Sequence, residues 1–131
     1  VYVDQMRLND SEGGEGKFAG GKGLIMDYRI RSKDAWITAA YTRSKTLPWP
    51  LEGGNEGSAN YIEVIRKDGK IEKYSVVTGL SLDPEDVVRI HTGNGGGYGD
   101  PKERDKKLIE NDLLNEYITT EQAEKNYNYK K

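Results

Sequence analysis

The sequence predicts a mainly β (α+β) fold, a β-sandwich or barrel-like body of short antiparallel strands with a C-terminal helical tail. Short alternating or β-branched runs, separated by Gly, Pro and Asp, fill most of the chain, whereas helix caps with helical spacing occur only after Gly99. The 131 residues suffice for one domain. We expect a single unit (1–131) divided into a β-rich body (1–92), a Gly-rich loop (93–100) and a helical tail (101–131).

Three strands are predicted in the first third of the chain. Residues 1–8 begin with β-branched side chains that alternate weakly, and a strand beginning at residue 1 is typical of a cut chain or of a sheet that continues elsewhere. Residues 24–30 place an apolar or aromatic side chain at every second position, which predicts a half-buried strand. Residues 36–42 follow a Ser-Lys-Asp turn, so we expect them to pair with residues 24–30 as a hairpin.

The clearest local signal is a second hairpin further along the chain. Residues 61–66 and 71–77 are strand-like, and Asp68-Gly69 between them predicts a type I′ turn with two positive φ angles. Residues 87–92 form another short strand, preceded by an Asp-Pro turn.

The stretch 47–57 contains two prolines and three glycines, which exclude the interior of a strand or helix. It is therefore predicted as an ordered loop, with Trp49 and Leu51 as its expected anchors.

The helical tail is predicted from capping signals. Asp100 is a good N-cap residue, Pro101 suits the first helical position and Glu103 completes a capping box. Apolar residues spaced four apart, from Ile109 to Tyr117, then predict one amphipathic helix.

A second, shorter helix is predicted after it. Thr119 and Gln122 form another capping box, with Ala123 and Tyr127 on one face of the helix that follows. The polar end, residues 128–131, is expected to be frayed.

Composition excludes several functions. Twenty basic against 22 acidic residues give a net charge of −2, which offers no electrostatic case for nucleic acid or an anionic membrane. The absence of Cys removes disulfides and thiolate metal sites, and a single His leaves no His cluster. Because no apolar run has the length of a membrane span, we expect a cytoplasmic protein. We also expect that the chain itself binds no metal or cofactor.

The glycine-rich runs offer two candidate sites. Residues 16–23 (GKFAGGKG) nearly match a phosphate-binding loop, but Gly23 stands where Ser or Thr is needed and a strand follows instead of a helix, so we reject a nucleotide site. Residues 93–100 (GNGGGYGD) have two interpretations: an anion or substrate cradle, or a close-packed turn with Tyr98 as a hydrophobic pin. The second, in which any added Cβ would clash, is favoured. If Gly97 has a positive φ, the substitution Gly97→Val is expected to be severely disruptive.

No complete active site is visible. His91 lacks obvious catalytic partners and is best interpreted as a solvated or hydrogen-bonded structural residue. No serine stands in a nucleophile elbow, and the acidic clusters lack the spacing of a calcium loop. We therefore expect no catalytic residue in this chain.

Three glycine-rich motifs, in order, carry a family resemblance: residues 10–23 (DSEGGEGKFAGGKG), 48–57 (PWPLEGGNEG) and 95–101 (GGGYGDP). In this order they resemble the C-terminal portion of the hydantoinase B / 5-oxoprolinase family, and residues 103–105 (ERD) continue the match. The resemblance implies that these loops have structural or interface roles. The residues concerned are Gly13, Gly14, Gly16, Gly20, Gly21, Trp49, Gly53, Gly54, Gly95, Gly96, Gly97, Tyr98, Gly99 and Asp100.

The resemblance also implies a function shared with other chains. Family members are several-fold longer, and their presumed metal-binding residues lie in a portion without a counterpart here. The resemblance implies a small accessory subunit of an ATP-dependent, biotin-independent ketone carboxylase of the acetophenone carboxylase type, with larger hydantoinase-A-like and hydantoinase-B-like subunits as partners. ATP and a divalent metal would be bound by those partners.

Two alternatives remain open. One is the C-terminal part of an ATP-dependent cyclic-amide hydrolase, such as N-methylhydantoinase or 5-oxoprolinase. The other, suggested by Trp36, Trp49 and the nine tyrosines, is a stand-alone carbohydrate- or protein-binding module, which leaves the three ordered motifs unexplained.

Overall fold

Seven strands and two helices form the part of the chain that the computed structural model describes, residues 1–130. The strands are Tyr2–Leu8 (β1), Leu24–Arg29 (β2), Ala35–Ala40 (β3), Tyr61–Ile65 (β4), Ile71–Tyr74 (β5), Val76–Leu82 (β6) and Val87–His91 (β7). A 3₁₀ turn, Pro101–Glu103, precedes the helices Lys106–Leu114 (α1) and Thr120–Tyr127 (α2). The predicted mainly β fold with a helical C-terminus is confirmed.

Two sheets pack face to face around the main core. Five strands pair antiparallel in the order β1-β2-β7-β4-β5, and β3 pairs with β6 as a two-stranded ribbon. Apolar residues of the ribbon cover one face of the larger sheet, since burying such side chains is the main driving force for packing. The buried core residues are Ile30, Ile62, Val64, Leu82 and Val88, against which Ile37, Ala39, Val77 and Leu80 pack.

The predicted hairpin between residues 24–30 and 36–42 is wrong. β3 pairs with β6 instead, with Ala35 opposite Leu82. The free side of β2 is occupied by β7, where Met26 lies opposite Ile90. This non-local pairing places β2 inside the larger sheet, and β3 is left to build the covering ribbon.

The β4–β5 hairpin is confirmed, but its turn differs from the predicted type I′. Gly69 alone has a positive φ, +88°, and its N–H donates to the carbonyl of Arg66 at 2.8 Å. The three-residue loop is therefore a type I turn followed by a left-handed glycine, the usual second choice for hairpins. The strand predicted over residues 71–77 also breaks at Ser75, where the chain passes from β5 to the ribbon.

β2 is covered on both faces, whereas the sequence predicts one buried face. The face predicted to be buried, which includes Met26 and Tyr28, lies on the same side of the sheet as the core residues of β4 and β7. On the other face Ile25 and Asp27 are buried too. Asp27 is held there by Arg89, whose Nε and Nη2 each donate to one carboxylate oxygen at 2.8 Å, and by Gln5 Nε2 at 2.8 Å.

A second network of charged side chains connects the β4–β5 hairpin to the residues just before β7. Arg66 contacts Asp86 at 2.8 Å and Glu72 at 2.9 Å. Lys70, Arg66 and the hydroxyl of Tyr74 all donate to Glu72, and they lower the pKa of that carboxyl to about 2.

The first of the two predicted tail helices does not run unbroken from its predicted N-cap, Asp100. Asp100 does act as an N-cap, accepting from the Lys102 N–H, but only for the 3₁₀ turn. Asp105 then caps α1, which ends at Leu114, so Tyr117 lies outside it. The carboxylate of Glu103 pairs with Lys17 at 3.3 Å instead of completing a capping box.

The second helix is confirmed, including its capping box between Thr119 and Gln122. Ala123 and Tyr127 are buried with Ile109 in a small core of their own, and burial raises the pKa of Tyr127 to about 12. Tyr129 packs on this core and its N–H donates to the Ala123 carbonyl, so Asn128 and Tyr129 are held rather than frayed. Lys131 lies outside the described residues.

We predict that Asp27→Asn destabilises the protein by about 1–3 kcal/mol at pH 7, because a hydrogen-bonded ion pair with a largely buried carboxylate is broken. Hydrogen bonds from Arg89 lower the pKa of Asp27 below its ordinary value of 3.8. The stabilisation is therefore complete above about pH 4 and is lost as pH falls through the pKa of the folded state. Urea denaturation between pH 3 and 7 measures this.

The exposed carboxylate Asp34 provides the control, since Asp34→Asn should change stability by less than about 0.5 kcal/mol. Equal effects of the two substitutions, or a constant difference from pH 7 to pH 3, would contradict the assignment.

Candidate functional site

The three glycine-rich motifs meet in one structure, which we call the glycine junction. It consists of segment 1 (residues 10–23), segment 2 (48–57) and segment 3 (93–100). Segment 3 lies in the middle: Phe18 and Tyr98 exchange N–H···O bonds of 2.9 and 3.0 Å. On its other side Leu51 donates to the Gly97 carbonyl at 3.0 Å.

The segments approach so closely that side chains cannot fit between them. At Gly16 an added Cβ would lie 2.6 Å from the Tyr98 nitrogen. At several further glycines it would collide with a carbonyl oxygen of a neighbouring segment. Examples are Gly20 with Gly95, Gly54 with Gly97, Gly96 with Trp49, and Gly97 with Glu15.

Gly97 does not have a positive φ. Gly99 is the residue of segment 3 with a positive φ, +74°, and Gly97 is required for its closeness to the Glu15 backbone instead. The close-packed interpretation of residues 93–100, in which an added Cβ would clash, agrees with this geometry.

All fourteen residues named from the sequence lie in this junction, with Asp100 at its exit capping the 3₁₀ turn. They are not equally constrained. A Cβ at Gly21 would meet nothing within 4 Å, and one at Gly53 only the Asp100 nitrogen at 3.9 Å. At Gly53 it is the positive φ of +89°, rather than a lack of space, that favours glycine.

Two buried asparagines, which sequence reasoning missed, join the segments. Asn94 is fully buried; its Oδ1 accepts from Gly23 N at 2.9 Å and its Nδ2 donates to the Ser11 carbonyl at 2.8 Å. Asn9 Nδ2 donates to the Thr92 carbonyl at 2.8 Å. The only sequence signal for this role is a lone Asn inside a glycine run.

Four large apolar side chains of the junction are exposed, and we call them the junction patch: Phe18, Trp49, Leu51 and Tyr98. Each is between 48% and 61% exposed. Phe18, Tyr98 and Leu51 are bridge partners and so lie side by side, with the rings of Phe18 and Tyr98 6.3 Å apart. The expected anchoring by Trp49 and Leu51 and the pin role of Tyr98 are therefore wrong. Backbone hydrogen bonds and buried asparagine side chains hold the loops instead.

A cleft of about 360 Å³ separates segment 1 from the helical tail. Arg104 spans its base, with Nη1 on the Lys17 carbonyl at 3.0 Å and Nη2 on Asp112 at 2.8 Å. Lys125 of α2 pairs with Glu12 at 2.8 Å across the same boundary. These contacts attach the tail to the glycine junction.

Segment 1 does not have the structure of a phosphate-binding loop. In segment 1 the Gly20 N–H donates to the Gly14 carbonyl, and the strand β2 follows instead of a helix N-terminus, so no phosphate cradle is formed. Within residues 1–130, no three His, Asp or Glu side chains lie close enough together to hold a metal ion.

His91 occupies a structural position. Its ring is buried and stacks on Tyr61 at 4.2 Å, and Nε2 lies 3.1 Å from the Glu63 carboxylate. The interpretation as a hydrogen-bonded structural histidine agrees with this geometry.

Larger ATP-dependent enzymes contain the same fold. An acetone carboxylase solved without nucleotide matches 95% of this chain and 21% of its own, with a TM-score of 0.78 and 18% identity. The ATP-dependent caprolactamase of Pseudomonas jessenii matches 95% of this chain and 22% of its own, with a TM-score of 0.77 and 26% identity.

The sequence itself matches the Hydantoinase B/oxoprolinase model over residues 1–101, and the chain belongs to this family. An uncharacterised protein of Methanocaldococcus jannaschii is 36% identical over 130 residues, 99% of this chain and 23% of the relative. The chain thus spans about a fifth of the length of these three proteins.

None of the helices in the described part of the chain is both long and apolar enough to cross a membrane.

We predict that Gly97→Ala destabilises the protein by about 1–3 kcal/mol, because its methyl group would collide with the Glu15 carbonyl in a backbone contact that cannot relax without separating the segments. Gly21→Ala is the matched control and should stay within about 0.5 kcal/mol of the parent, since space is free at that position. Denaturant unfolding of both variants checks the difference. Similar midpoints for the two variants would show that the close approach does not limit stability.

Proposed function

We propose that this chain is a cytoplasmic docking part of a multi-subunit, ATP-dependent enzyme of the hydantoinase B/oxoprolinase type. It binds larger hydantoinase-A-like and hydantoinase-B-like polypeptides through the junction patch and supplies no reacting group itself. ATP and a divalent metal belong to the partners. The observation that carries the proposal is an apolar patch left exposed on a frame made rigid by glycine contacts.

The patch has the properties of a binding surface. Its aromatic and aliphatic side chains come from all three segments, and they stand on backbone that is hydrogen-bonded on both sides. Because the backbone is fixed before binding, little conformational entropy is lost when a partner covers the patch. Contiguous exposed apolar groups on a soluble protein commonly mark interaction sites, and Arg43 stacked on Trp49 at 4.2 Å gives this one a polar rim.

The reaction class favoured for the assembled enzyme is the ATP-dependent opening of a cyclic amide. The family description names hydantoinase and oxoprolinase, and the caprolactamase shares both fold and 26% of the aligned sequence. The ketone carboxylase of the acetophenone carboxylase type is the second candidate, since an acetone carboxylase has the same fold. The shared fold does not separate these two chemistries.

The assembled enzyme, isolated through a C-terminal tag on this chain, tests the proposal. We expect ATP hydrolysis that depends on a cyclic amide, assayed with hydantoin, 5-oxoproline and caprolactam. The chain alone should hydrolyse no ATP with any of them. Bicarbonate uptake that depends on acetophenone or acetone would support the carboxylase instead, and substrate-dependent ATP turnover by the isolated chain would overturn the docking role.

We predict that the double substitution Phe18→Ser and Leu51→Ser weakens binding to the partner subunits by at least about tenfold in Kd, because two central apolar contacts are removed while the backbone frame is kept. The measurement is surface plasmon resonance with the immobilised partners. Trp36→Ser is the control: Trp36 is as exposed as these residues but lies on the β3–β6 ribbon. Equal losses in both variants would contradict docking through the patch.

A further inference from the structure

The strand β1 forms one edge of the five-stranded sheet, and its outer side has no partner strand within residues 1–130. The direction of its backbone groups follows from the ladder. Asn9 N donates to the Gly23 carbonyl, in register with the Arg7–Ile25 pair. Since hydrogen-bonded and non-hydrogen-bonded pairs alternate in an antiparallel ladder, the N–H and C=O groups of Met6 and Leu8 face outward.

The side chains on this edge are exposed as well. Val3, Met6 and Leu8 are 61%, 65% and 43% exposed, although they are apolar. The charged residues of β1 are already paired within the chain: Asp4 contacts Arg29 at 2.7 Å and Arg7 contacts Asp10 at 3.0 Å. An approaching strand therefore meets apolar groups and the outward backbone groups of Met6 and Leu8. The Leu8 carbonyl accepts from the exposed Arg7 guanidinium at 3.4 Å, so that side chain must turn aside when a strand binds.

The opposite edge is built differently. β5 has only four residues, and two of them, Glu72 and Lys73, are charged. Short, charged strands are a common protection of sheet edges against unwanted pairing. By contrast β1 has seven residues, and its stretch from Gln5 to Leu8 pairs regularly with β2 after the irregularity at Asp4.

We propose that the outer edge of β1, from Met6 to Leu8, binds an extended segment of the larger hydantoinase-B-like polypeptide as a sixth strand of the sheet. This inference rests on the proposed function. The segment would form up to four backbone hydrogen bonds with Met6 and Leu8 and place apolar side chains beside theirs. An acidic residue opposite Arg7 would complement its charge.

Two observations favour this occupant over a second copy of the chain. A copy that pairs Met6 with Leu8 in both directions sets the two Arg7 side chains directly opposite each other, and like charges in that position destabilise a strand pair. The matched region is also only about a fifth of the Methanocaldococcus and Pseudomonas proteins, so in such proteins four-fifths of a polypeptide is available to supply the strand.

Hydrogen exchange with mass spectrometry tests the proposal on two samples, the chain alone and the complex isolated through its C-terminal tag, with the bound polypeptides identified by mass spectrometry. In the chain alone, the amides of Met6 and Leu8 should exchange fast while those of Gln5 and Arg7 are protected. In the complex, exchange at Met6 and Leu8 should slow by at least about tenfold.

Met6→Pro tests the same edge, because proline removes an outward N–H without breaking the ladder to β2. The matched control is Ile71→Pro on β5. Ile71 is also exposed, and its N–H faces outward because its neighbour Lys70 forms the hydrogen-bonded pair with Arg66. We expect Met6→Pro to weaken binding of the partner by at least about tenfold and Ile71→Pro to leave it unchanged.

The outcomes separate this inference from the proposed function. A complex that forms normally, with Met6 and Leu8 still exchanging fast and both proline variants binding equally, overturns the strand addition but keeps the docking role. A chain that forms dimers through β1, with protection of Met6 and Leu8 that depends on its own concentration, overturns the choice of occupant. If no hydantoinase-like polypeptide binds the parent chain, both proposals fail.

Discussion

The close approach of three backbone segments at the glycine junction is the constraint on which the rest of the structure depends. Segment 3 directly follows β7, the central strand of the larger sheet, and leads through Asp100 into the tail. Segments 1 and 2 pack on it at distances that leave no room for a Cβ at most positions. Steric exclusion here fixes the ends of β1 and β2 relative to β7, and so fixes where the sheet begins.

Hydrogen bonds and ion pairs supply much of the stabilisation that the small apolar core does not provide. Only 34% of the residues are hydrophobic, and five side chains form the buried centre of the main core. The other face of the sheet is held by the Asp27–Arg89 pair, and the β4–β5 hairpin by Arg66 with Asp86. Buried asparagines perform the same task in the glycine junction, where no apolar side chain fits.

The apolar side chains that the fold leaves outside support the proposal that this domain is part of a larger assembly. The junction patch and the β1 edge together expose residues that an isolated small domain would bury to gain stability. Both surfaces end at the same loop region, since β1 leads directly into segment 1. Partners bound there would cover apolar area without any change in the backbone of the chain.

The sequence by itself determined the elements whose causes lie within a few residues: the strands, the β4–β5 hairpin, the Thr119–Gln122 capping box and the order of the glycine motifs. Only the tertiary structure decided the features that depend on distant residues. β3 pairs with β6 because β7 occupies the free side of β2, and Asp27 is buried because Arg89 lies opposite it. Trp49 and Leu51, expected as anchors, are exposed, and backbone hydrogen bonds with buried asparagines hold the loops instead. Local propensity acts between chain neighbours, whereas strand partners and burial are set by which surfaces exclude water and by which atoms collide.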